Sequence, residues 1–398
     1  VKSHYCIGGY EKMEVTAKKQ TIWSHNFIVL FFANTVISFG SMMTYTLLPL
    51  FCREMNATDA VVGVVSGVFA LTALAMRPIS GPAIDSWNKK KLYLAVITLN
   101  AIGMFGYGIS TNIGMVVAFR LLHGISNGTS AALCLAMATE SLPHEKIASG
   151  IGIYMLSTVL PGAIGPGLGL TLSETIGFRY TYFIASGLIL LATVLGARLD
   201  YGDVKSKKIK ISLRTMIAKE AVMIMIMHFA VSTSMSFLVL MVEDREISGL
   251  PMYYTINAIA MLAARPLSGK IADKYGADKA IFPCMGIFVI NLIMLAFCHE
   301  TWQLWTCAVL NAFGYSSAYS MIQAMAMKIT PPERRGAGGS TCYIGTDTGT
   351  LLGPMVAGAI VQSFGYTVMF LYALVPLFLT AVVFTIWLKK NNGIPMPN

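Results

Sequence analysis

The sequence predicts an all-α membrane protein of twelve transmembrane helices, arranged as two pseudo-symmetric six-helix bundles. Three observations carry that expectation. Only 12% of the 398 residues are charged and 55% are apolar, whereas an ordinary soluble domain is roughly 25% charged. Apolar runs recur twelve times along the chain. A single ungapped register relates the second half to the first, Arg77 answering to Arg265.

The runs lie near 26–51, 60–83, 92–110, 113–138, 147–172 and 180–199, and again near 221–242, 251–272, 279–298, 302–328, 337–362 and 366–389. Nearly all reach the roughly 17–25 residues that a helix needs to cross a hydrocarbon core. They are too long and too little alternating for barrel strands, and lipid offers the backbone no hydrogen-bond partner outside a helix or a closed barrel. The first run is followed by Arg53 and Glu54 with no small-residue cleavage pattern, so it reads as a retained span. Met13 is as plausible a start as Val1, and residues 1–12 are given no function. The boundaries that follow are a cytoplasmic segment 1–25, a first bundle 26–199, a linker 200–220, a second bundle 221–389 and a tail 390–398.

Lys and Arg divide between the short connections as 23 on one side and three, Arg53, Arg179 and Arg245, on the other. The positive-inside rule then places both termini in the cytoplasm of a multi-pass cell-membrane protein. The net charge of +10 is a topology signal; the basic residues have no interleaved aromatic platform, so nucleic acid is not an expected partner. Seven cysteines show no CxxC pair and read as apolar filler, and no cofactor or metal is expected.

The repeat is clearest in RPISGPAID at 77–85 and RPLSGKIAD at 265–273. Pro143, Glu145 and Lys146 likewise match Pro331, Glu333 and Arg334 at the same offset. Gly165-Pro166 matches Gly353-Pro354, and Gly177 matches Gly365. Both halves hold an even number of spans and therefore share one orientation. Repeats of this kind mark transporters whose halves rock about a shared site.

On these motifs the chain resembles the major facilitator superfamily, in its twelve-span drug:proton antiporter branch. The family's loop motif is matched at Gly81, Asp85, Lys89 and Lys90, with Ser86 and Asn88 departing, and its second copy at Gly269, Asp273, Lys274 and Gly276. RLLHGISNG keeps Arg120 and Gly124 of the fourth-span pattern, and GAIGPGLG keeps Gly165, Pro166 and Gly169 of the antiporter motif in the fifth. The resemblance implies that Asp85 meets the start of the eleventh span near Gly336 and Asp273 the start of the fifth near Ile147, closing the cytoplasmic side. Solvated loop acids are the plain alternative. It implies also that Arg120 faces inward and helps proton exchange, and that the first, fourth, seventh and tenth spans wall a central cavity.

The residues themselves suggest further roles. Arg77 and Arg265, about 12 Å above the aspartates, could snorkel to the interface or tie neighbouring helices together. Gly162, Gly165 and Gly169 form a smooth stripe with a bend at Pro166, read as a sealing contact between the halves; Gly353 and Pro354 are the second copy. His123 and Asn127 continue the face of Arg120. Asp347 is the only acid deep in a predicted span. It is expected to alternate between protonated and charged forms as a proton-coupling group; the plain alternative is a permanently neutral structural acid. Asn34, Ser38 and Tyr45 in the first span, and Asn311, Tyr315, Tyr319 and Gln323 in the tenth, form polar stripes that fit the substrate-binding wall the resemblance implies; His228 in the seventh either joins that wall or is a packing histidine with one satisfied nitrogen.

The function expected is proton-driven export of small amphipathic or cationic molecules by alternating access, by a monomer whose partners are substrate, protons and bilayer. Import by symport is the near alternative. A membrane enzyme would need convergent catalytic groups, and the sequence has no HExxH pair and no GxSxG elbow. A non-transporting sensor would more naturally carry a soluble domain.

Overall fold

A computed structural model describes residues 21–143, 147–201, 219–329 and 335–390. The first bundle holds α1 (His25–Tyr45), α2 (Leu47–Glu54), α3 (Asp59–Ser86), α4 (Lys89–Ile109), α5 (Ile113–Glu140), α6 (Ile147–Ile176) and α7 (Phe178–Gly196). The second holds α8 (Lys219–Ser236), α9 (Leu238–Asp244), α10 (Leu250–Tyr275), α11 (Ala277–Ala296), α12 (Thr301–Asn311), a π-helical turn over Ala312–Ser316, α13 (Ser317–Ile329), α14 (Arg335–Tyr372) and α15 (Leu374–Lys390). These elements make twelve rods. α1 and α2 form one, interrupted at Thr46, because Pro49 has no N–H to give the Tyr45 carbonyl. α8 and α9 form another, as do α12, the π turn and α13. α14 bends at Gly365 and supplies the eleventh rod and the start of the twelfth.

Sequence signals set the ends. Ser24, Asn88 and Asn112 each accept a hydrogen bond from a backbone N–H in the first turn of α1, α4 and α5, satisfying donors the helix leaves free. Glu300 and Gln303 do so reciprocally at α12. Ser24 Oγ donates to the Ser141 carbonyl, and His25 and Asn26 contact the carbonyls of Arg198 and Asp200. The start of α1 and the ends of α5 and α7 therefore share one face, here the terminal face. Arg245 on the opposite, distal face donates to the carbonyls of Leu295, Ala296 and Cys298 at 2.7–3.3 Å and to Thr367 Oγ1 at 3.1 Å.

The repeat extends to the backbone. Gly177 has φ 86° and Gly365, its match in the second half, has φ 79°, each opening the last rod of its bundle. No atom lies within 4 Å of a Cβ built at either, so substitution there meets backbone strain and no collision. With ψ of 161° and 177° this is a region essentially reserved for glycine. Gly177→Ala and Gly365→Ala should each cost about 1–3 kcal/mol, seen as a lowered melting temperature of the detergent-solubilised protein.

Within a bilayer, tight packing and hydrogen bonds hold rods together more than solvent exclusion does. Gly196 leaves room for the Tyr93 ring, whose hydroxyl donates to the Ala192 carbonyl at 3.3 Å. α1 packs on α6 and α7, α3 on α5, and α14 on α8; the bundles meet through α3 with α14 and α6 with α10.

Candidate functional site

The two bundles close on one another at the distal face. On α3, a Cβ at Gly63 would run into the Pro354 carbonyl oxygen, and one at Gly67 into the Leu351 carbonyl. Gly358 on α14 answers them, its missing side chain making room for the Asp59 carbonyl. This small-xxx-small seam lets two helix backbones touch. Beside it Arg53 spans the bundles, donating to both Asp244 carboxylate oxygens at 2.6 and 2.9 Å and to Tyr366 Oη at 2.6 Å, while also pairing with Asp59 at 3.1 Å. Tyr366 Oη donates to Asp244 at 2.5 Å. Gln362 accepts from the Ala60 N–H, and Thr255 Oγ1 donates to the Ala163 carbonyl across α6 and α10.

Halfway along the seam lies Arg77, 7% exposed, with Asp347, 9% exposed. Arg77 Nε donates to Asp347 Oδ2 at 2.7 Å and Nη2 to Oδ1 at 3.4 Å, while Nη1 reaches the Gly128 carbonyl at 3.4 Å. The guanidinium also lies over the Tyr343 ring, 4.6 Å from its centroid. Of the two roles expected of Arg77, the tie is the one seen: it joins α3 to α5 in its own bundle and to α14 of the other, and Asp347, the deep acid, is its ion-pair partner. The links that Arg53, Ala60, Thr255 and Arg77 make between the bundles lie at this pair or on its distal side. These contacts seal the distal side.

A space of about 20 Å³, room for one water molecule, lies between the pair and the distal seal, lined by Tyr45, Ser66, Phe69, Arg120, Tyr254 and Thr350 among others. Arg120 donates to the carbonyls of Val65 at 3.1 Å and Ser66 at 2.6 Å and stacks over Phe69, 4.3 Å from the centroid. Carbonyl dipoles and a ring face hold this cation; among the described residues no carboxylate does.

The stripe that continues from Arg120 through His123 and Gly124 packs on Phe69 of α3. His123 is buried, hydrogen-bonds Tyr107 of α4 at 3.0 Å and stacks on Phe69, the ring that also carries Arg120. Gly124 packs on Phe69 and Thr72, and Asn127 is half-buried. The α6 stripe is corrected. Gly165 and Gly169 face Met42 and Met43 of α1 in the same bundle, and nothing lies near Gly162. It is Gly167, on another side of the helix, that meets Pro251 of the second bundle. Pro166 lies inside α6 between these contacts. Gly353 packs on α8, leaving Pro354 to meet the first bundle.

Tyr45 is half exposed and forms part of the lining of the central space, and Ser38 is buried. Asn34 Nδ2 donates to Ser157 Oγ at 2.6 Å. In the second bundle His228 Nδ1 and Tyr315 Oη are 2.8 Å apart, Tyr319 and Thr346 share a hydrogen bond of 3.0 Å, Asn311 is buried and Gln323 half-buried. Arg265 is exposed, with Nε 3.3 Å from Ser316 Oγ. Gly81 and Gly269 face open space. The side chains of Asp85 and Asp273, and those around Gly336 and Ile147 that they were expected to meet, lie outside what the structure describes. Sequence reading missed the Gly63–Gly67 seam, although GVVSG is a visible GxxxG, and it missed the Arg53 clamp, whose members are far apart in the chain.

The Major Facilitator Superfamily family model matches residues 30–243 and 221–396. The chain belongs to that superfamily. It is a transporter and no enzyme, built on the superfamily's two-bundle, twelve-helix fold. The chain is 25% identical to the Multi-drug resistance efflux pump PmrA homolog of Lactococcus lactis subsp. lactis (strain IL1403), over 94% of its own length and 98% of the relative's. It is 22% identical to the Quinolone resistance protein NorA of Staphylococcus aureus (strain COL), over 83% and 89%. Among solved structures, a mutant of the nucleoside transporter NupG superposes with a TM-score of 0.77 at 14% identity, covering 90% of this chain and 100% of that one. A bacterial homolog of the human lysosomal transporter Spinster gives 0.72 at 14%, covering 92% and 96%. The structures share the fold.

Proposed function

We propose that this transporter exports small amphipathic molecules in exchange for protons, with the terminal face cytoplasmic and Asp347 as the coupling carboxyl. The Arg77–Asp347 pair carries this reading. It is bidentate, nearly dry and the innermost of the links that Arg53, Ala60, Thr255 and Arg77 make between the bundles. While Asp347 is charged, the pair holds the empty protein closed on the distal side. A proton on Asp347 removes the charge that Arg77 needs, and a bound substrate can compete for the same groups. An exchanger requires this logic: the bundles rock when loaded with a proton or with substrate, and the empty, unprotonated protein does not cross. Arg120 stands next to the central space as the fixed cation that substrate or a water would meet.

The efflux pumps among its relatives support the outward direction, and the 23-to-3 division of basic residues supports the cytoplasmic termini. A monomer suffices, since both halves of the site lie in one chain. In proteoliposomes, an imposed pH gradient should drive a fluorescent amphipath such as norfloxacin or rhodamine B up its own gradient, against the direction of proton flow. Movement that is indifferent to the pH gradient, or that runs with the protons, would overturn this reading.

A further inference from the structure

We propose that Arg265 is the anchor for an acidic group on the substrate, so that the preferred class is anionic or zwitterionic amphipaths. The inference rests on the central site of the export reading, and it comes from a place where the internal repeat fails. Arg77 and Arg265 are equivalent positions of the two halves, and each reaches the neighbouring cavity-wall rod at corresponding points. Arg77 donates to the carbonyl of Gly128, and Arg265 lies against the hydroxyl of Ser316, the residue that matches Gly128 in the repeat. Arg77 then turns its other edge to Asp347. In the first half the position equivalent to Asp347 is held by Val159, so the symmetric arginine has no symmetric acid.

Among the described residues Arg265 has no carboxylate partner, and its only polar contact is one long hydrogen bond. It lies eleven residues from Tyr254, about three helical turns, and so shares the face of α10 that lines the space beside Arg120. Between the distal clamp and the last two turns at the terminal face, the charged side chains of the spans are Arg77, Arg120, Arg265 and Asp347. With Arg77 and Asp347 paired, two positive charges remain. A cationic molecule entering from the terminal side would meet repulsion. A carboxylate would meet a planar fork of donors suited to bidentate binding.

The surroundings favour the same ligand. Ser316 belongs to the π-helical turn Ala312–Ser316, the kind of widened turn often found at functional sites. The turn also presents Tyr315, hydrogen-bonded to His228. Neutral donors thus stand beside the free guanidinium, with no competing acid among the described residues.

Matched probe pairs that differ by one carboxylate test the proposal: norfloxacin with its ethyl ester, and rhodamine B with its ethyl ester. Binding to the purified full chain in detergent is read by fluorescence anisotropy, beside pH-driven uptake in proteoliposomes. The parent should bind each acid about tenfold more tightly than its ester, the size of one charge-assisted contact. Arg265→Gln should bring that ratio to about one without changing ester affinity, and Arg265→Lys should keep part of it. A merely structural arginine would weaken acid and ester alike. Equal affinity of acid and ester in the parent, an unchanged ratio in Arg265→Gln, or no binding of either acid would overturn the proposal. An intact ratio without pH-driven uptake would support the anion site while removing the export reading.

Discussion

Asp347→Asn should let substrate move down its own gradient and abolish uphill movement driven by a pH gradient. The asparagine cannot take the charge that pairs with Arg77, so the lock on the empty protein is gone and the bundles cross unloaded. Removing one partner of a buried pair costs about 3–5 kcal/mol of the arrangement it supports, a shift of more than a hundredfold in population. The loss of coupling is therefore expected to be near complete. Because the variant leaves a buried guanidinium without its partner, it should also melt at a lower temperature. The double variant Arg77→Gln/Asp347→Asn removes both charges and should recover stability while staying uncoupled. Uphill transport by Asp347→Asn at the parent's level would remove the carboxyl from the mechanism. Flux measured in proteoliposomes, with and without the gradient, separates the two results.

Gly63→Ala should block closure of the distal face, and Gly63→Leu should block it more completely. The added Cβ meets the Pro354 carbonyl, and the Gly358 Cα at 3.1 Å. Both are backbone, with no rotamer to move aside. Overpacking of this kind costs about 1–3 kcal/mol where side chains can adjust; here α3 and α14 must separate, which opens the seal. Transport should fall by about a hundredfold for leucine, an outcome of the same overpacking applied to a seam with no give. Gly286→Ala is the control: it lies inside α11 with nothing within 4 Å of the added carbon, and it should transport as the parent does. If Gly63→Leu transports normally, the seam is not the distal gate.

The sequence disclosed the rods because lipid imposes length and apolarity on each one. The match between Gly177 and Gly365 was visible in the sequence; that both take the positive-φ, extended conformation open only to glycine was not. Eight helical stretches among the described residues are long and apolar enough to span on composition alone. The rest are α5 and α10, with Arg120 and Arg265, and the tenth rod broken by its π turn. Contacts between bundles were less legible. Asp347 was visible as a deep acid and Arg77 as half of a repeated motif, but 270 residues separate them, and no local periodicity relates one rod's facing to another's. The same limit misplaced the α6 glycines. Their spacing fixes which positions share a face, while the partner of that face is set by how the rods assemble. The asymmetry at Val159 could be read from sequence, and its meaning for Arg265 required the geometry of Arg77.

The most direct test of the lock is the separation of the bundles at the distal face as a function of pH. Spin labels at Asn56 and Glu246, measured by double electron–electron resonance in substrate-free protein, report it. The parent should show one short distance at high pH and gain a longer one on acidification, as Asp347 takes up its proton and releases Arg77. Asp347→Asn should show the acid distribution at every pH. Acid-induced separation that persists unchanged in Asp347→Asn would contradict the account.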